Sequence, residues 1–218
     1  MSRLDRDDVS LIVIAKAPLR GLAKTRLIPA LGEEGAAAIA EACLADTLFA
    51  VAETPARRRV LVLDGEPGTW LPDAGFEVLP QREGGLAERL AGAFEDSGAA
   101  PALLVGMDTP QVTASLLTAS IEALCEDGVD AVIGPASDGG YWAIGLRSAD
   151  PGVFAAVPMS EDETGERQRE RLGELGLSFV ELEQLRDIDT IEDAEAVSAV
   201  NPWTRCAAAL RRLRAERS

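Results

Sequence analysis

Short, unbroken apolar runs alternate along the chain with longer stretches in which apolar residues recur three and four positions apart. The runs are typical of strands buried on both faces of a sheet, and the longer stretches of amphipathic helices. The predicted strands are Ser10–Ala15, Arg59–Leu63, Phe76–Leu79, Ala102–Val105, Ala131–Gly134, Tyr141–Leu146 and Ser178–Leu182. The predicted helices are Glu33–Ala52, Leu86–Glu95, Ser115–Leu124, Glu166–Leu175, Ile191–Val200 and Trp203–Arg217.

This alternation predicts an α/β protein with a mostly parallel open sheet and helices on both faces. The two strands around Asp138 are expected to form an antiparallel exception. We expect residues 1–218 to form one domain, with 203–218 as a helical C-terminal appendage. Residues 149–164, rich in proline, glycine and acidic side chains, could be either a mobile active-site flap or a surface loop.

Charge and composition exclude several classes of function. The 218 residues carry a net charge of -16 and no histidine. Without histidine there is no Ser-His-Asp or Cys-His catalysis and no His-ligated metal, so a bound metal is expected to be oxygen-ligated Mg²⁺ or Mn²⁺. The negative charge argues against nucleic acid and anionic membranes as partners.

The cysteine pattern and the lengths of the apolar runs indicate a cytoplasmic protein. Cys43, Cys125 and Cys206 are distant in sequence and are expected to be buried thiols of a reducing compartment. No targeting segment is evident, and no apolar run reaches the ~20 residues of a membrane span. The amphipathic C-terminal helix could serve a homodimer.

Ligands in open α/β sheets bind beyond the carboxyl ends of the strands, so the loops after the strands are the candidate sites. The loop after the first strand, residues 16–27, holds both lysines of the chain, Lys16 and Lys24, together with Arg20 and Arg26. Such a cluster in an acidic protein predicts phosphate binding, with Gly21 allowing close backbone approach. A solvated basic loop is the alternative.

Two other loops offer carboxylates. Asp108, within the sequence GMDTP after the strand Ala102–Val105, could ligate a metal or only cap the next turn. In the segment 187–193, part of the acidic cluster fits helix capping, which leaves Asp187 to join Asp108 on a divalent cation.

Paired glycines mark two further segments. Gly139 and Gly140, followed by Tyr141, allow either a ligand-binding turn with an aromatic wall or a plain hairpin. Gly85 opens the helix that carries Arg89, and its amides could face an anion or a base.

In order, the motifs KAPxxGxAKTRL, GMDTP, DGGYWxIGL and DIDTxED resemble the GT-A-type nucleotidyltransferase superfamily. The most similar branch is often labelled glycosyltransferase-like and is similar to phospholactate guanylyltransferase and, more distantly, to molybdenum-cofactor guanylyltransferase. The likeness runs from about Leu11 to Ala194. It implies a Rossmann-like GT-A sheet that binds a nucleotide over its first half and an acceptor over its second.

The resemblance also implies roles for individual residues. These are nucleotide binding by Lys16, Gly21, Lys24, Arg26, Gly85 and Arg89, metal binding by Asp108 and Asp187 with Asp189 as a further candidate, and acceptor binding by Asp138, Gly139, Gly140 and Tyr141. Lys24, Asp108 and Asp138 are the expected catalytic residues.

Three functions follow as hypotheses. The first is metal-dependent transfer of a nucleoside monophosphate from a nucleoside triphosphate to a small phosphorylated acceptor, with release of pyrophosphate. A phosphate nucleophile needs no general base, which suits a site without histidine. The second is glycosyl transfer from a nucleotide-sugar, with Asp138 as the base for an acceptor hydroxyl. The third is nucleotide binding without turnover.

Overall fold

A computed structural model describes residues 4–216. Its strands are β1 Ser10–Lys16, β2 Arg59–Asp64, β3 Phe76–Pro80, β4 Ala102–Val105, β5 Ala131–Pro135, β6 Tyr141–Leu146 and β7 Phe179–Glu181. Its helices are α1 Ile28–Glu53, α2 Leu86–Ser97, α3 Ala114–Cys125, α4 Thr164–Glu174, α5 Ile191–Val200 and α6 Arg205–Ala215. All of the predicted strands and helices are present, with small shifts at their ends.

The seven strands form one sheet in the order β3-β2-β1-β4-β6-β5-β7. All neighbouring strands run parallel except β6, which is antiparallel to both β4 and β5. The predicted antiparallel exception is therefore confirmed. It arises because β5 and β6 are joined by a short turn, whereas parallel neighbours need a longer crossover.

Side chains of β1 alternate between two apolar layers, which puts helices on both faces of the sheet. Leu11 and Val13 pack in the layer that contains α1 and α3. Ile12 faces the opposite layer, with Leu90 and Phe94 of α2. A strand covered on both faces needs apolar residues at every position, which is why β1 reads as one unbroken run.

The first turn of α1 is separated from the rest of the helix at Gly32, whose φ of 74° is left-handed. The continuous helix therefore begins at Glu33, as predicted. The segment Thr25–Glu53 is long and apolar enough to cross a membrane by length and composition, but 61% of its most apolar window is buried inside the protein. This is the packing of a core helix.

The C-terminal helix α6 packs against α1 and α5. Asp46 of α1 accepts hydrogen bonds from the backbone amides of Arg205 and Cys206, both at 3.0 Å, and so caps the first turn of α6. Cys206 also contacts Cys43, and a hydrogen bond between the thiols together with burial raises the pKa of Cys43 well above its usual value. Trp203 precedes the helix and is exposed, and the predicted helix end at Arg217 lies outside the described residues.

Candidate functional site

A cleft of about 800 Å³ opens at the carboxyl ends of β1 and β4 and extends to the turn between β5 and β6. β1 and β4 are parallel neighbours, so the residues that follow them meet at one edge of the sheet. The residues singled out in the sequence that line this cleft are Lys16, Lys24, Arg26, Arg89, Asp108, Asp138, Gly140, Tyr141, Asp187 and Asp189. Gly21, Gly85 and Gly139 do not line it.

Lys24 and Asp108 form the central ion pair of the cleft. The Lys24 Nζ lies 2.7 Å from Asp108 Oδ1, and the lysine side chain is only 8% exposed, against 44% for the aspartate. Burial is the largest single influence and lowers the pKa of Lys24, but the neighbouring charges, led by Asp108, and the hydrogen bond to Asp108 together outweigh it, and the pKa is raised. The ammonium also donates to the carbonyl oxygen of Ile188, so Lys24 ties the β1 loop to the segment before α5.

Lys24 itself has left-handed backbone angles, with φ 47° and ψ 49°. A residue other than glycine rarely adopts this conformation, and such strain persists only where the surroundings enforce it. The buried ion pair supplies that constraint here.

The other cations of the β1 loop differ in their partners. Arg20 pairs with Glu33 and Glu34 at the start of α1, outside the cleft. Arg26 pairs with Asp189, whose carboxylate is thereby engaged. Lys16 has no carboxylate partner within residues 4–216, and it is exposed. Three of the four cations of this loop are therefore neutralised by carboxylates of the protein.

Two of the glycines predicted to bind nucleotide lie outside the lining of the cleft. Gly21 adopts a left-handed φ of 73° near the carboxylate of Glu33, away from the cleft. Gly85 is the residue before α2, and the side chain of Glu88 folds back over it. That carboxylate therefore lies beside the start of α2.

Arg89 of α2 reaches the cleft wall with its guanidinium held by three partners, and its Nε donates to the Gly84 carbonyl oxygen at 3.1 Å. Its Nη1 lies 2.9 Å from Asp64 Oδ2 and 3.2 Å from Gln81 Oε1. The amide of Gln81 in turn donates to the carbonyl oxygens of Ala15 and Val62, at 2.6 and 3.2 Å. Arg89 and Gln81 thus close the side of the cleft next to β1 and β2.

Asp187 and Asp108 supply the oxygen atoms that a divalent cation would use. Burial first, and then the neighbouring charge of Asp138, raises the pKa of Asp187 to about 6. Asp108 Oδ2 receives no hydrogen bond from the described residues. No group of three or more Asp, Glu, Cys or His that could hold a metal occurs among the described residues. Two carboxylates nonetheless suit Mg²⁺, which binds through one or two carboxylates, substrate phosphates and water.

The turn between β5 and β6 clamps the segment before α4. Gly139 has a φ of 89°, and a methyl group there would lie 1.8 Å from the carbonyl oxygen of Asp162. The amide of Gly165 donates to the Gly139 carbonyl oxygen at 2.8 Å. Only glycine allows this contact, so Gly139 has a structural explanation that the sequence alone did not reveal.

The side chains of Tyr141 and Trp142 each donate a hydrogen bond to another group of the protein. The Tyr141 hydroxyl donates to Gln168 Oε1 at 3.2 Å, and burial raises the pKa of Tyr141 far above its usual value. Trp142 is 3% exposed, and its indole donates to the carbonyl oxygen of Glu183 at 2.9 Å. Both form part of the cleft wall, with Trp142 chiefly a core residue.

Sequence reasoning missed several cleft residues. Glu161 and Asp162 line the cleft, and they belong to the segment 149–164, which the sequence left open as an active-site flap or a surface loop without singling out either residue. Met107 accepts a hydrogen bond from the Lys16 amide through its Sδ at 3.2 Å, which joins the ends of β1 and β4. The hydroxyl of Thr109 is buried and has no hydrogen-bond partner among the described residues.

A second groove, of about 740 Å³, lies between α3 and α5. It contains none of the predicted site residues, and Glu183 and Arg186 are its only charged lining residues. The chemistry of the chain is therefore concentrated in the first cleft.

Comparison with solved structures supports this description of the fold. The chain is 26% identical to a proposed nucleotide-diphospho-sugar transferase from Desulfovibrio desulfuricans G20, with a TM-score of 0.83 over 95% of this chain and 96% of that one. It also resembles 4-diphosphocytidyl-2C-methyl-D-erythritol synthase from Anaerococcus prevotii, with 13% identity and a TM-score of 0.58 over 90% and 97% of the two chains.

A third similar structure is a CMP:2-keto-3-deoxy-manno-octonic acid synthetase in complex with CTP, with 10% identity and a TM-score of 0.57 over 89% and 98% of the chains. At such identities the likeness shows the fold alone, which is the Rossmann-like GT-A fold that was predicted. No curated protein matches the chain. A family model does match residues 47–161, and its members are described as uncharacterized proteins conserved in bacteria. Since this match spans more than half of the sequence, the chain belongs to the family DUF2064.

Proposed function

We propose that this protein is a transferase that takes a glycosyl group from a nucleotide-diphospho-sugar and gives it to a small hydroxyl-bearing acceptor. One observation carries the proposal. A single cleft holds cations on one side and unpaired carboxylates on the other, with the Lys24–Asp108 pair between them. That arrangement suits a donor with a diphosphate and an acceptor whose hydroxyl must lose a proton.

The donor phosphates are assigned to the β1 side of the cleft. Lys16 is exposed and without a carboxylate partner in the described part of the chain, so its ammonium is available to a phosphate oxygen. Arg26 and Arg89 line the same side and are held in place by Asp189 and Asp64. Lys24 is a positioning residue in this scheme, because its ammonium is buried against Asp108.

Asp108 and Asp187 would hold a divalent cation, Mg²⁺ or Mn²⁺. When bound, the cation neutralises phosphate charge on the donor and on the departing nucleoside diphosphate. The oxygen-only donor pair fits such an ion.

Asp138 is assigned as the general base. One of its oxygens, Oδ1, accepts a hydrogen bond from the Gly140 amide at 2.8 Å, which fixes the orientation of the carboxylate and leaves the other oxygen available. In the reaction the acceptor hydroxyl oxygen bonds to the anomeric carbon, and the bond from that carbon to the diphosphate oxygen breaks. The hydroxyl proton passes to Asp138, and the nucleoside diphosphate leaves with the bonding electrons.

Nucleotidyl transfer is the second candidate function, supported by the shared fold with cytidylyltransferases. It requires a triphosphate, which carries more negative charge than a nucleotide-sugar. In the sequence, the cluster of cations in the loop after β1 favoured a triphosphate, because no carboxylate partners for these cations were evident. Arg20, Lys24 and Arg26 all have carboxylate partners, so this argument no longer holds.

The test is a thermal-shift panel of nucleotide-sugars and nucleoside triphosphates, each with and without Mg²⁺ or Mn²⁺. A ligand at about a hundredfold its Kd adds roughly 2.7 kcal/mol, which for this length is a shift of roughly 5–11 °C. We expect a metal-dependent shift with one nucleotide-sugar, followed by release of nucleoside diphosphate when an acceptor is added. A shift with a triphosphate and release of pyrophosphate would establish nucleotidyl transfer instead. No shift with any nucleotide would refute both.

A further inference from the structure

The charges that line the cleft are divided between its two sides. All four of its basic residues, Lys16, Lys24, Arg26 and Arg89, come from the β1 loop and from α2. The opposite side is formed by the turn between β5 and β6 and by the segment before α4. Its charged lining residues are Asp138, Glu161 and Asp162, which we call the acceptor-side carboxylates. That side has no basic lining residue among the described residues.

The acceptor-side carboxylates also lack basic partners elsewhere. No ion pair to Asp138, Glu161 or Asp162 occurs within residues 4–216, and the same holds for Asp187, whose charge neighbours Asp138, whereas Asp108 and Asp189 are both paired. The Arg167 guanidinium at the start of α4 is nearby in sequence, but it pairs with Glu163 and Glu170 on its own helix. The negative charge facing the cleft is therefore left uncompensated by the protein.

These carboxylates are held in place by the backbone around them. Thr164, which is 5% exposed, accepts a hydrogen bond from the Glu161 amide and donates one to the Pro158 carbonyl oxygen, both at 3.0 Å. The contact between Gly139 and the Asp162 carbonyl locks the same segment against the β5–β6 turn. Ser160, directly before Glu161, has a left-handed φ of 63°. The backbone that carries Glu161 and Asp162 is therefore fixed beside the cleft, and both side chains are exposed.

We infer that the acceptor is a small hydroxyl compound that carries a protonated amine, and that Glu161 and Asp162 recognise the amine while Asp138 faces the hydroxyl. An ammonium group supplies the positive charge that this side lacks, and carboxylates are its strongest hydrogen-bond acceptors. A phosphorylated acceptor, the expectation from the sequence, would instead meet three negative charges with no cation to bind it. The inference concerns the acceptor of the proposed transferase and so rests on that function.

The test uses three sugars that share one hydroxyl framework: glucose, glucosamine and glucose 6-phosphate. Release of nucleoside diphosphate from the donor identified in the panel is measured with each of them. We expect kcat/KM for the amino sugar to exceed that for the neutral sugar by about tenfold or more, the change expected for one charge-assisted hydrogen bond. The phosphorylated sugar should be the poorest acceptor. A preference for it, or equal use of glucose and glucosamine, would overturn the inference.

A matched pair of variants separates recognition from general damage. The double variant Glu161→Gln, Asp162→Asn removes the two charges and keeps the side-chain shapes. Its KM for glucosamine should rise about tenfold or more, by a larger factor than its KM for glucose, and its donor affinity should not change. Glu166→Gln makes the same chemical change on the exposed surface of α4, outside the cleft, and should leave every value as in the wild type. An equal loss with both sugars would contradict the assignment.

Binding without turnover distinguishes failure of this inference from failure of the proposed function. Glucosamine added without donor should raise the melting temperature of the wild type, and the double variant should lose this shift. If that shift occurs but no nucleotide binds, the proposed function is wrong, while the recognition of an ammonium group by Glu161 and Asp162 is supported. If a nucleotide-sugar binds but glucosamine neither binds nor reacts, the proposed function stands and the inference falls.

Discussion

Replacing Gly139 by alanine tests whether the β5–β6 turn positions the acceptor side of the cleft. The added methyl group would lie 1.8 Å from the Asp162 carbonyl oxygen, and ordinary contact begins at 3.4 Å. The segment carrying Glu161 and Asp162 would therefore have to withdraw by about 1.6 Å, the difference between these two distances. Backbone, rather than a flexible side chain, stands in the way, so the strain cannot be relieved by a rotamer change.

Two contributions to the loss of stability can be separated with a control. Alanine in a left-handed conformation costs roughly 1–2 kcal/mol by itself. Gly128 has a φ of 84°, close to the 89° of Gly139, but a methyl group at Gly128 meets nothing within 4 Å. Gly128→Ala should thus lose only the backbone contribution. Gly139→Ala should lose about 1–3 kcal/mol more, because the clash acts like an overpacked core.

Urea unfolding and steady-state kinetics measure the two effects. We expect Gly139→Ala to raise the acceptor KM or lower kcat by up to ~100-fold, the penalty associated with a displacement of about 1 Å. Donor affinity should not change, because the donor side of the cleft does not touch this turn. If Gly139→Ala were no less stable and no less active than Gly128→Ala, the clamp would not have the role assigned to it.

Three other substitutions test separate parts of the structure. Asp108→Asn keeps an oxygen for Lys24 but removes the negative charge, so the fold should survive. The metal-dependent rise in melting temperature with nucleotide should disappear. A rise that is retained would refute the assignment of Asp108 to the metal. Lys24→Met should destabilise the fold by about 1–3 kcal/mol in urea, since it leaves the partly exposed Asp108 without its partner; an unchanged midpoint would contradict this role. Asp46→Ala should cost about 2–3 kcal/mol, because the α6 amides of Arg205 and Cys206 lose their acceptor, and Asp46→Asn should cost less.

The candidate site shows how far sequence reasoning reaches. The residues after β1 and β4 could be placed in one cleft because parallel strands end at the same edge of a sheet. The resemblance made Asp189 a further candidate metal ligand, and in the structure its carboxylate pairs with Arg26. A carboxylate and a cation 163 residues apart cannot be paired from sequence alone, because nothing local signals their contact.

The segment 149–164 is a second case in which the sequence alone could not show a contact. Its composition suggested either a flap or a plain loop. In the structure its last residues are fixed by Gly139 and Thr164, and they line the cleft. The glycine at 139 was recognised as unusual, but its partner, the Asp162 carbonyl, is a backbone group that every residue possesses.

The sequence by itself determined the order and type of the strands and helices, because hydrophobic periodicity is local and each element needs only its own residues to display it. It also determined which chemistries are absent, since a chain without histidine cannot use one. The tertiary structure decided which charges remain available. Most cations of the β1 loop are neutralised by carboxylates from other segments. Asp138, Glu161 and Asp162, by contrast, have no ion-pair partner within residues 4–216. Charge pairing depends on distances across the fold, and those exist only once the chain has folded.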